Sequence, residues 1–181
     1  MSIKVQRIFL IGYMGAGKTT LGKALAREMG LQFIDLDDFI IGRQHKTIRD
    51  IFAEVGEEGF RKIERRALEE VASFEDVVIS LGGGTPCFFD NMELVRSAGR
   101  SVYLKPSEEV LHERLIVGKK KRPLLADKND AEILTFMREQ LAWREPYYQK
   151  AEMTFNASNL DNKEDIHLSA EALAKKLNNE Y

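Results

Sequence analysis

Cysteine is nearly missing from this chain of 181 residues: the single thiol, Cys87, excludes an internal disulfide and any zinc site built on several thiolates. Histidine is almost as scarce. His45, His112 and His167 are scattered and lack the spacing of metal ligands, so packing or surface roles are expected of them. Neither sign of charge dominates, with 27 Lys and Arg against 29 Asp and Glu, so the bulk electrostatics call for neither a nucleic acid nor an anionic membrane. Any basic chemistry must be local. No stretch approaches the roughly 18 to 20 consecutive apolar residues of a membrane-spanning helix. The amino-terminal MSIKVQRIFLIG has only a short apolar run, which passes into a glycine-rich loop in place of a small-residue cleavage site and reads as a buried strand. These absences predict a cytoplasmic protein with residues 1–181 in one domain, large enough to bury a core without metal or disulfide support.

Ile8 to Ile11, following Val5 and bounded by Gly12, is an apolar run; Lys18 to Met29 then places Leu21, Leu25 and Met29 at four-residue spacing. That alternation recurs. Strands are predicted at Gln32–Asp35, Val77–Ser80, Ser101–Leu104 and Met153–Asn156, and helices at Ile48–Ser73, Asn91–Ser97, Ser107–Ile116, Ala131–Tyr148 and Asp165–Leu177, with a break at Gly56 to Gly59. Five short strands alternating with helices imply an α/β fold whose parallel sheet is covered on both faces. Ligands of such sheets collect beyond the carboxyl ends of the strands. Residues 117–130, running through GKKKRPLLADKND, are too polar and too long for a minimal connection and make a candidate mobile lid. There is no internal repeat and no low-complexity tract.

Gly12-Tyr-Met-Gly-Ala-Gly17-Lys18-Thr19 fits the phosphate-loop pattern of a glycine, four residues, then Gly-Lys-Thr, and it lies between a predicted strand and a predicted helix. Glycines allow positive φ, so that backbone N–H groups wrap a phosphate at the positive end of the helix dipole. Gly15, Ala16, Gly17, Lys18, Thr19 and Thr20 are therefore the expected ATP-binding run, with Lys18 across the β- and γ-phosphates and the Thr19 hydroxyl on Mg²⁺.

Asp35, Asp37 and Asp38 follow the second strand, on the same sheet edge as the loop. Asp37 or Asp38 as a plain helix cap is one reading. Phosphoryl transfer supplies the other, since it needs one acid to hold the hydrated metal and one to orient the attacking hydroxyl, roles assigned to Asp35 and Asp37 respectively. Arg61, braced by Glu64 one turn on, and Arg144 are candidate anion ligands because a guanidinium offers two parallel donors to a carboxylate, although most arginines are solvated surface. Gly82, Gly83 and Gly84 close the third strand; they are either a flexible turn or a place where bare backbone meets a ligand. In the lid, Lys119, Lys120 and Lys121 are expected to face solvent or steer ATP, and Arg122 to neutralise the transferring phosphoryl group.

Taken in order, GYMGAGKT, the Asp35-Leu36-Asp37 run, GFR ending at Arg61, the triple glycine, RPLL from Arg122 and REPYY from Arg144 resemble the shikimate kinase family over essentially the whole chain. The resemblance implies a three-layer P-loop fold like that of nucleoside-monophosphate kinases, with a substrate-binding region over residues 35–66 and a lid that closes on ATP. It implies ATP and shikimate as substrates, Mg²⁺ as the metal, and a monomer. Arg61 and Arg144 would take the shikimate carboxylate, Asp37 its hydroxyls, Gly83 its close backbone contact, and Arg122 the nucleotide phosphates. The family's adenine-side arginine has a counterpart in Arg114, one residue further from Arg122 than expected, while residues 157–163 match no motif; neither is assigned to the site. A gluconate or nucleoside-monophosphate kinase is the alternative within the enzymes. A nucleotide-binding module without catalysis is the alternative outside them, and intact Lys18, Thr19, Asp35 and Asp37 speak against it.

Overall fold

The computed structural model describes residues 6–179, so Val5, counted above with the first apolar run, lies outside the described residues. Five strands, β1 (Arg7–Ile11), β2 (Gln32–Asp35), β3 (Val77–Ser80), β4 (Arg100–Leu104) and β5 (Met153–Phe155), form one sheet ordered β2-β3-β1-β4-β5. Every pairing is parallel. Neighbours on the two sides of β1 are reached by crossovers in opposite directions, so the crevice beyond its carboxyl end is the natural ligand position.

Alternate side chains of each strand feed two cores. Phe9 and Ile11 of β1 join Val77, Ile79 and Tyr103 on one face, whereas Ile8 and Leu10 join Val78, Val102 and Leu104 on the other. The first face is covered by α2 (Leu36–Gln44), α3 (Ile48–Val71), α4 (Asn91–Ala98), α5 (Glu108–Val117) and α6 (Asp130–Tyr148). The second is covered by α1 (Lys18–Met29) and α7 (Lys163–Asn179), whose Leu21, Leu25, Leu173 and Leu177 are buried together.

Two local features aim the site. Gly56 carries φ 69° and ψ −177°, which breaks α3 where the sequence predicted an interruption and starts a second helical piece that bears Arg61 and Glu64. At the head of α2 the capping residue is Asp35, not Asp37 or Asp38: its carboxylate accepts from the amides of Asp37 at 3.0 Å and Asp38 at 3.4 Å. That bond leaves the side chain of Asp37 uncommitted to the cap. The predicted lid consists of two short 3₁₀ turns, Lys119–Lys121 and Pro123–Leu125, joined through Arg122. Among the described residues no helix is long and apolar enough to cross a membrane.

Candidate active site

The loop from Gly12 to Gly17 turns from β1 into α1 with Gly15 at φ 82° and Gly17 at φ 96°, conformations that a side chain would strain. A Cβ on Gly17 would also press on the Leu160 side chain. Lys18 folds back along the loop and donates to the carbonyls of Gly12 at 2.8 Å and Tyr13 at 2.9 Å. Burial draws its pKa down to about 8 against the pull of Asp37 and Asp35. Ala16 is fully buried beneath the loop, so it offers only its backbone.

In front of the loop opens a cleft of about 460 Å³ whose wall includes Gly15, Gly17, Lys18, Thr19 and Thr20 on one side and Asp35, Asp37, Gly82 and Gly83 on the other. Thr19 Oγ1 donates to Asp35 Oδ2 at 3.1 Å. A hydroxyl and a carboxylate oxygen side by side are hard donors suited to Mg²⁺, which commonly takes one or two protein oxygens and completes its shell with phosphate and water. No group of three or more His, Cys, Asp or Glu able to hold a metal occurs among the described residues. Asp37 stands apart electrostatically: burial, then the charges of Asp35 and Glu64, push its carboxyl up to about 6.

The triple glycine makes three approaches in succession. A Cβ on Gly82 would lie 3.2 Å from Asp37 Oδ1, one on Gly83 would lie 3.3 Å from Arg144 Nη1, and one on Gly84 would lie 3.0 Å from Arg61 Nη2. Three residues from α2, α6 and α3 therefore meet on one short stretch of backbone. Arg61 is held by Glu64 at 3.0 Å, as the sequence predicted, and by Glu57 at 3.3 Å, and it lies 3.9 Å above the Phe88 ring. Arg144 donates to Gln140 at 2.9 Å and lies over the rings of Tyr13 and Trp143. The Nε of each arginine is buried with no hydrogen-bond partner among the described residues. Donor capacity left unspent beside a polar cleft is what an anion would satisfy.

Arg122 also reaches the cleft, where Nη1 donates to the Arg114 carbonyl at 3.4 Å. Arg114 and Leu160, which the sequence left unassigned, line it too. Arg114 clamps the loop after β5 by donating to the carbonyls of Ala157 at 2.9 Å and Ser158 at 2.7 Å. The carbonyl partners carry no side-chain signature, so residues 157–163 gave no motif to read. Phe88 and Tyr13, the rings beneath the two arginines, were likewise missed.

A phosphate-loop cleft with an acid in its wall, and two arginines set against the glycines beside it, belongs to a P-loop phosphotransferase acting on a small molecule. The comparisons narrow that class. The family model described as shikimate kinase matches residues 14–177. A shikimate kinase of Phocaeicola vulgatus is 59% identical over 172 residues, covering 95% of this chain and 98% of the relative. The crystal structure of shikimate kinase from Bacteroides thetaiotaomicron superposes with a TM-score of 0.93 at 49% identity, covering 97% of this chain and 99% of that one. Shikimate kinase from Acinetobacter baumannii in complex with shikimate superposes at 0.81 with 34% identity, covering 98% and 96%. The chain belongs to the shikimate kinase family and is an ATP-dependent kinase.

Proposed function

We propose that this enzyme transfers the γ-phosphate of ATP to the 3-hydroxyl of shikimate, giving shikimate 3-phosphate and ADP on the route to chorismate and the aromatic amino acids. The observation that carries this reading is the meeting of Asp37, Arg144 and Arg61 on Gly82, Gly83 and Gly84, which suits a compact acid bearing a carboxylate at one end and hydroxyls at the other. Arg61 and Arg144 bind the carboxylate with forked donors. Asp37 takes the hydroxyl: the oxygen attacks the γ-phosphorus, the bond to the β-phosphate oxygen breaks, and the proton passes to the carboxylate. A carboxyl pushed up to about 6 is well matched to that task near neutral pH.

On the other side, the backbone of Gly15 to Thr20 wraps the phosphates while Lys18 exchanges its two carbonyl partners for β- and γ-phosphate oxygens. Thr19 and Asp35 hold Mg²⁺, which when bound offsets charge on the phosphate oxygens. Arg122 neutralises charge on the transferring group as residues 117–130 close as a lid, and residues 35–66 serve as the substrate-binding region. The same reading makes residues 1–181 one kinase domain, a monomer in the cytoplasm, with no nucleic acid or membrane partner; the single buried thiol and the near balance of charge support it.

The test is ADP release by purified protein with Mg²⁺ and ATP, comparing shikimate, quinate, gluconate and AMP at equal concentration. Stimulation by shikimate alone is expected. Preference for another acceptor would keep the kinase and overturn the substrate, and release that ignores every acceptor would leave a nucleotide-binding module.

A further inference from the structure

We propose that Thr85 is a positioning residue for the carboxylate-binding arginine, acting through Glu64; the proposal rests on the shikimate reading above. Glu64 is 1% exposed, and its carboxylate is divided between two donors. Oε2 accepts from Arg61 at 3.0 Å, and Oε1 accepts from the Thr85 hydroxyl at 2.6 Å. Thr85 is itself fully buried and fixed from two further directions: its amide donates to the Gly82 carbonyl at 3.1 Å, and its carbonyl accepts from Asn91 Nδ2 at 2.7 Å. Asn91 is tied in turn to α3, since its Oδ1 accepts from Arg65 at 2.8 Å. The hydroxyl therefore cannot follow the carboxylate if the latter turns.

Division of the carboxylate sets where Arg61 points. With Oε1 occupied by Thr85, Glu64 takes one end of the guanidinium and leaves the group against Gly84, where Nη2 and Nη1 would lie 3.0 and 3.1 Å from an added Cβ. Remove the hydroxyl, and Oε1 becomes an unpaired oxygen of a buried carboxylate, a costly state. Arg61 is the donor already bound to the same carboxylate, so the pair turns into a two-pronged one and the guanidinium is drawn off the triple glycine. Neither Arg61 nor Thr85 lines the phosphate end of the cleft, so nucleotide binding is left alone.

Steady-state kinetics on Thr85→Val and Thr85→Ser separate this role from a merely structural one. Thr85→Val is expected to raise the shikimate KM about tenfold, with kcat and the ATP KM within about twofold, and Thr85→Ser to restore the native value. Thr85→Ala gives the same comparison if the valine variant fails to fold. Parallel changes in both KM values, a loss confined to kcat, no change, or failure of serine to restore binding would each overturn the role of Thr85. The native enzyme in the same assay keeps the two readings apart: no turnover of shikimate by it defeats the substrate assignment, whereas normal turnover with an unchanged Thr85→Val defeats only the positioning role.

Discussion

Where the nucleotide side of the cleft is made of backbone, the acid side is made of side chains. The first is one contiguous loop, with Lys18 tied to the carbonyls of Gly12 and Tyr13 and glycines at positive φ shaping the turn. The second gathers Asp37, Arg61 and Arg144 from α2, α3 and α6, which only the sheet's order brings together. A backbone cradle is indifferent to most substitutions near it, whereas a set of convergent side chains fails one member at a time. The two sides should therefore break differently.

Asp37 stands on the seam, and Asp37→Asn should have the largest effect. Loss of the proposed base lowers kcat by about 10²–10⁴ while ATP binding, measured by calorimetry, holds. Equal losses in both would place Asp37 on the nucleotide side and erase the contrast. The same substitution stabilises the unliganded protein. Because the carboxyl is pushed up to about 6 from an ordinary 3.8, the folded state binds the proton more tightly than the unfolded one, so stability falls as pH rises from about 4 to 6 and stays lower above. Asn removes that loss: thermal unfolding at pH 8 should shift upward by a few degrees, at about 2–4 °C per kcal/mol for a chain of this size. Near pH 4 no gain is expected.

Next in size come the arginines. Arg144→Ala should raise the shikimate KM about 30-fold or more, leaving the ATP KM in place. Arg61→Ala should do the same and also lower the melting temperature, since it strands the carboxylate of Glu64, which is 1% exposed. Binding losses without that difference in stability would mean that Glu64 finds another donor.

A smaller effect lies in the pH dependence of kcat/KM for ATP, which reports the free enzyme when shikimate is held well below its own KM. Its acid limb should rise through about pH 6 as Asp37 loses its proton, and its alkaline limb should fall through about pH 8 as Lys18 loses its own. Lys18→Arg should abolish the alkaline limb, because a guanidinium stays charged.

The contrast in materials also explains what could be read from the sequence. The five strands and every helix except α2 were legible to within about two residues, and the break was read from the glycines at 56 and 59, whereas α2 was given no range because its nine residues, LDDFIIGRQ, carry no clear apolar period. The phosphate loop was legible because its whole geometry is contiguous. Of the acid side, the meeting of its members on one substrate came from the family resemblance alone, and nothing in the sequence says that Gly82, Gly83 and Gly84 face Asp37, Arg144 and Arg61 one after another. The cap of α2, which one reading placed on Asp37 or Asp38, falls on Asp35, since three aspartates within four residues compete for it. Arg114 and Leu160 were left out because the clamp runs through the carbonyls of Ala157 and Ser158, and carbonyls look alike in every residue. The Thr85 hydroxyl on Glu64 was invisible for the same kind of reason, a bond across 21 residues with no motif around it.

The mildest probe uses the chain's one tryptophan, which lies on the acid side alone. Trp143 sits 5.7 Å from the Arg144 guanidinium carbon and 6.0 Å, edge to face, from Phe88, the ring that carries Arg61. At 47% exposure it remains open to solvent quenching, so ordering of either arginine on a carboxylate changes its surroundings. Shikimate alone should shift its emission, and ATP without Mg²⁺ or acceptor should not, since the link from the phosphate cradle to the tryptophan runs indirectly, through Tyr13 and Arg144. A shift on ATP alone would show that filling the backbone cradle moves Arg144 through the Tyr13 ring. The two sides would then be coupled before the acid arrives, and the sharp division between backbone and side chains would give way to a single linked site.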